Sequence, residues 1–165
     1  MSKQSDYTAE EWKTIVSAPL AAGLLVSLAD LSSPLGMAKE AVAVFEGIVE
    51  PLTTSSNELI KTIAEGWKAQ TFKPDLPDLP RDSPDSARRW IIDLCKQAAA
   101  IVSQKSPDEI DEYNRWLVSL ARKTAEASKE GGFLGIGGTL VSDSEKAAVD
   151  ELVAALGVQR WQLLK

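Results

Sequence analysis

From Ile15 to Ala29 the chain reads Ile-Val-Ser-Ala-Pro-Leu-Ala-Ala-Gly-Leu-Leu-Val-Ser-Leu-Ala, without one charged side chain. A helix with no polar side must be covered on every side. Its small residues, Ala18, Ala21, Ala22, Gly23 and Ser27, let neighbouring helices come close. The pattern predicts a central helix over 9–30. Thr8-Ala9-Glu10-Glu11 forms a capping box at its start, in which Thr8 accepts from the third amide and Glu11 reaches back. Pro19 lies inside it, lacks a donor and crowds the carbonyl of Ile15. That predicts a kink, or two segments meeting at Ala18-Pro19.

Further helical stripes follow in order. Ser33-Pro34 opens a second helix to about Val49, with Met37, Ala41, Val42, Phe45, Ile48 and Val49 as its expected inward stripe, and Pro51 ends it. A third runs from about Ser55 to Ala69 with Leu59, Ile60, Ile63, Ala64 and Trp67 on one face. Residues 71–85 hold Pro74, Pro77, Pro80 and Pro84 interleaved with Asp75, Asp78, Asp82 and Asp85, a density that forbids helix and predicts an extended connector. Their PxxP spacing also fits a docking strip, weakened by the flanking acids. Ser83-Pro84 caps a fourth helix to about Ser103, with Ala87, Trp90, Ile91, Leu94, Cys95, Ala98, Ile101 and Val102 inward. Ser106-Pro107-Asp108-Glu109 is expected to cap a fifth, carrying Ile110, Tyr113, Trp116, Leu117, Leu120, Ala121 and Thr124 inward and ending near Lys129. Residues 131–141 form a glycine-rich loop. Ser142 to Glu145 is a second capping box, leading a last helix to Leu156 with Gly157 as its C-terminal cap residue. Residues 159–165 form a tail. The expectation is an all-α single domain, 1–165, of about six helices around the first.

Composition narrows the function classes. The net charge is -6, which argues against nucleic-acid backbones and anionic lipid. There is no histidine, so the commonest general base, metal ligand and pH switch is missing. The single cysteine, Cys95, allows no internal disulfide and suits a reducing compartment. On the inward stripe of a helix it reads as a small hydrophobe with no histidine to activate it. The lead-in to the apolar stretch is acidic and the stretch is short for a membrane span, so it reads as a core helix.

Gly131 to Gly138 holds five glycines around Phe133, Leu134 and Ile136. Freed amides can cradle an anion, but the lysine of a P-loop is missing and no strand precedes the loop. The residues Gly132, Phe133, Leu134, Gly135, Ile136 and Gly137 are read either as a plug on the end of the core or as the contact with a partner or ligand. Among the carboxylates, Asp30, Glu40, Glu46, Glu50 and Glu145 read as caps, surface charges or ion-pair partners, with Asp30 singled out because it follows the apolar rod. Each tryptophan, from Trp12 to Trp161, sits on a different helix or on the tail, and packing at the core is the default reading.

Glu11-Trp12-Lys13 through Ala18-Pro19 to Ala29-Asp30, with Glu130 to Gly138 and then Val141-Ser142-Asp143-Ser144-Glu145, resembles a type of uncharacterised small bacterial all-helical protein. That resemblance implies the fold and no particular activity. Ala29-Asp30 to Gly36 with Glu40, and Val141-Ser142 with Glu145, are also similar to the TerB-like helical domains of tellurite resistance. Those are associated with acidic metal-binding surfaces. The denser acidic turn of that family is missing here, so no metal ligand carries over.

The leading expectation is a non-enzymatic, soluble, cytoplasmic interaction module that acts through a protein partner or self-association, with no cofactor, no metal, no nucleic acid and no membrane. A hydrophobic-ligand or lipid binder, with a cavity lined by Leu24, Leu28, Phe45 and Trp116, is the second reading. A divalent-cation protein or enzyme using carboxylates alone is the third.

Overall fold

A computed structural model describes residues 4–29, 34–72, 76, 78–129 and 141–159, with backbone only at 34–37 and 128–129. The fold is an all-α bundle with no strand among these residues. After a 3-10 turn at Gln4–Asp6 come α1 (Ala9–Ser27), α2 (Pro34–Val49), the single turn α3 (Pro51–Thr54), α4 (Glu58–Lys68), α5 (Pro84–Lys105), α6 (Ile110–Lys129) and α7 (Asp143–Ala155). α1 packs along α5 and α6 and touches α2 and α7, so it occupies the centre as its composition requires. α6 shares that position, because α2 lies along it as closely as α1 does.

The capping boxes form as the sequence predicts. Glu11 N donates to Thr8 Oγ1 at 3.2 Å while Thr8 N donates to Glu11 Oε2 at 2.7 Å. Ser142 and Glu145 repeat the exchange at 3.2 and 2.7 Å. At the end of α7, Gly157 takes φ +65, which a side chain would resist. Gly157 N donates to Ala154 O, and Val158 N donates to Val153 O. These are the two bonds of a Schellman cap, with Val158 buried beyond it.

α1 is one helix with a proline inside it, unbroken from Ala9 to Ser27. The missing donor of Pro19 leaves the Ile15 carbonyl without its helical partner. The fully buried Tyr113 hydroxyl of α6 donates to that oxygen at 2.8 Å. One residue on, the Trp67 indole of α4 donates to the Val16 carbonyl at 3.1 Å. Burial, with smaller contributions from Cys95 and Tyr7, pushes the Tyr113 phenol well above its ordinary range. It therefore keeps the proton it donates.

Two local expectations change. Pro51 does not only end α2; it opens α3 in the first-turn position that a proline favours. α4 is capped by Asn57, whose side chain accepts from Ile60 N at 2.9 Å, so it starts at Glu58, later than the start expected near Ser55. α6 is helical from Ile110, after a turn in which Glu109 N donates to Ser106 O at 2.9 Å. The Ser106 hydroxyl bonds Tyr7 at 2.6 Å, and the Glu109 carboxylate accepts from Leu59 N of α4 at 3.1 Å. In the connector, the described residues Phe72, Leu76 and Leu79 lean half-buried on the core.

Candidate functional site

α2 is where sequence and structure part most. The periodicity places Ala41, Val42 and Phe45 inward; in the structure Val42 is 56% and Phe45 44% exposed, and Ala38 and Ala41 are exposed beside them. Of the expected stripe Ile48 is buried and Val49 half-buried, and the buried face is Glu40, Val44, Gly47 and Ile48. Two glycines set this rotation. Val44 lies so close to Gly23 of α1 that a Cβ there would collide with it. A Cβ on Gly47 would stand 2.7 Å from Leu120 Cδ2 of α6, and the Trp116 indole donates to the Gly47 carbonyl at 3.2 Å. Close approach at these two points turns the 40/44/47 face inward and the 38/42/45 face outward.

The outward face has a charged border. Lys39, Glu46 and Glu50 follow one flank of α2, and Glu50 pairs with Lys123 of α6. Between α2 and α6 runs an open groove of about 380 Å³, lined by Ala38, Lys39, Val42, Ala43, Glu46 and Ala127. Among the described residues Val42 and Phe45 are the exposed large hydrophobics. Sequence reasoning missed this face, although a signal was present. α2 carries apolar residues at 38, 41, 42, 45 and 49, and again at 44 and 48. That exceeds what one inward stripe can use.

A second concavity, of about 480 Å³, lies between α1, the connector and α5. Glu10, Lys13, Thr14, Asp78, Asp93 and Gln97 give it a mixed-charge rim around Leu76, Trp90 and Leu94. The cavity expected around Leu24, Leu28, Phe45 and Trp116 does not assemble from these four. Phe45 points to solvent, while Trp116 is buried under the opposite face of α2, at Gly47. Trp12 and Trp116 are buried and Trp67 and Trp90 half-buried against the core; Trp161 lies outside the described residues.

Three carboxylates have structural partners. Glu11 sits below the ordinary carboxylate range because the Thr8 amide donates to it. Asp82 is lowered chiefly by the Ser86 hydroxyl. Glu145 belongs to its capping box. Among the described residues no three of Asp, Glu, Cys or His gather as a metal site. Cys95 is fully buried, and burial pushes its thiol up to about 12, so little thiolate exists at neutral pH. Asp30 and the glycine-rich segment Gly132, Phe133, Leu134, Gly135, Ile136 and Gly137 lie outside the described residues. No described helix is long and apolar enough to cross a membrane.

No family model, curated protein or solved structure matches this chain.

Proposed function

We propose that the chain is a non-enzymatic interaction module whose docking surface is the outward face of α2. One observation carries this reading: among the described residues, a helix with apolar residues on nearly every side leaves Val42 and Phe45 exposed. A contiguous exposed apolar patch with a charged border is a common form of protein-contact surface. The groove toward Ala127 gives the patch relief into which a partner side chain can seat. The lone reduced, buried Cys95 suits a reducing compartment, and we place the module in the cytoplasm on that ground.

Native mass spectrometry of gently purified protein tests the module. The wild type should carry a protein partner or a second copy, and the doubly substituted Val42→Ser/Phe45→Ser chain should be bare at unchanged helix content by circular dichroism. A bare wild type overturns the reading, as does a complex that survives the double substitution.

A further inference from the structure

Building on the interaction-module reading, we propose that the occupant of the α2 face is a second copy of this chain, with α2 packed antiparallel on α2 about a twofold axis passing between Val42 and Ala43. Residues advance about 100° each around a helix, so Ala38, Ala41, Val42, Phe45 and the half-buried Val49 form one apolar arc. Lys39 and Glu46, seven residues apart, lie on the same flank of that arc. In an antiparallel pair related by a twofold axis, each residue faces the one equally far beyond the axis, and like flanks meet. An axis between Val42 and Ala43 therefore sets Lys39 of each copy against Glu46 of the other. The interface closes with two identical ion pairs. A parallel pairing sends the charged flanks to opposite sides, where neither pair can form.

The same register fits the sizes. Phe45 of one copy falls over Ala38 and Ala41 of the other, so a large side chain meets small ones on both sides of the axis. The two Val42 residues flank the axis itself. Helices packed at about 8–10 Å bring those Cα atoms into the range of about 4.4–6.8 Å that a disulfide spans.

Sedimentation velocity of the full chain over a concentration series reads the association directly. The wild type should pass from monomer to dimer with rising concentration. Lys39→Glu and Glu46→Lys should each weaken the dimer about tenfold or more, a change of about 1.4 kcal/mol, and the Lys39→Glu/Glu46→Lys chain should regain it. Val42→Cys should give a disulfide-linked dimer on mild oxidation, while the wild type, whose Cys95 is buried, should not. A wild type that stays monomeric at every concentration overturns the proposal, whether residues 130–140 or another protein then cover the face. So do charge variants that dimerise like the wild type, or a Val42→Cys chain that resists cross-linking. A monomeric wild type that still carries another protein, released by Val42→Ser/Phe45→Ser, would leave the module reading standing and this one fallen.

Discussion

α1 has no charged side chain from Ile15 to Ser27, and α2 has only Lys39, Glu40 and Glu46 between Pro34 and Val49. Their surroundings differ. α1 is wrapped by α5 and α6 with α2 and α7 beside them, and its Ile15, Ala18, Ala21, Ala22 and Leu25 are fully buried. α2 lies along α6 and touches α1, α4 and α3, and among the described residues its 38/41/42/45 side is exposed. Burial depends on how closely its neighbours surround a helix as well as on how apolar it is. An apolar helix at the edge of the bundle keeps an exposed apolar side, whereas the same composition at the centre is covered.

Truncating a side chain separates the two helices most sharply. Leu25→Ala in α1 should cost about 2–5 kcal/mol by urea unfolding, because the buried site loses contacts and gains a cavity. A loss below about 1 kcal/mol would mean that α1 is not the closed centre described. The next effect is smaller and more specific. Tyr113→Phe leaves the Ile15 carbonyl buried without its donor, at about 1–3 kcal/mol. That loss should shrink in a Pro19→Ala background, where the backbone regains the helical amide that the proline lacks. Equal losses in both backgrounds would break the link between the proline and the tyrosine.

Alkaline titration bears on the centre alone. Cys95 is raised from 9.0 to about 12 in the folded chain, so its contribution to stability is full below 9.0 and lost as pH rises toward 12. Tyr113 is raised likewise from 10.0. Urea-derived stability should therefore fall above pH 9.0, and Cys95→Ala should make that fall shallower; an unchanged slope would remove Cys95 as a cause. The smallest effect belongs to α2. In monomer, Val42→Ser and Phe45→Ser should each lie within about 0.5 kcal/mol of wild type, as surface positions do. A larger loss would show that the face is covered within the chain.

The starts and stops of the helices were legible because each is set by residues a few positions apart. Thr8 with Glu11, Ser142 with Glu145, Ser83 before Pro84, and Gly157 all act locally. The inward stripes of α5 and α6 were legible too, since each has one apolar side and one polar side. The rotation of α2 was not, because a helix apolar on both sides gives periodicity nothing to choose between. Its orientation is decided by Gly23 against Val44 and Gly47 against Leu120, contacts between distant parts of the chain. Ser106 and Glu109 also act at a distance that spacing along the chain does not show: their side chains reach Tyr7 and Leu59. The segment Gly132 to Gly137, expected to plug the core or to meet a partner, falls outside the described residues, and the exposed face of α2 could be found only once α2 had been oriented.

The carbonyls around Pro19 have a consequence for how uniquely the chain is arranged. Alanine-lined helices offer smooth surfaces, and smooth surfaces permit many nearly equal positions along and around the axis. The phenol of Tyr113 and the indole of Trp67 can reach Ile15 and Val16 in one axial position only, and they come from separate helices. A residue usually counted as a defect in a helix thus works as a vernier mark. It aligns three helices along a core whose side chains alone would let them slide.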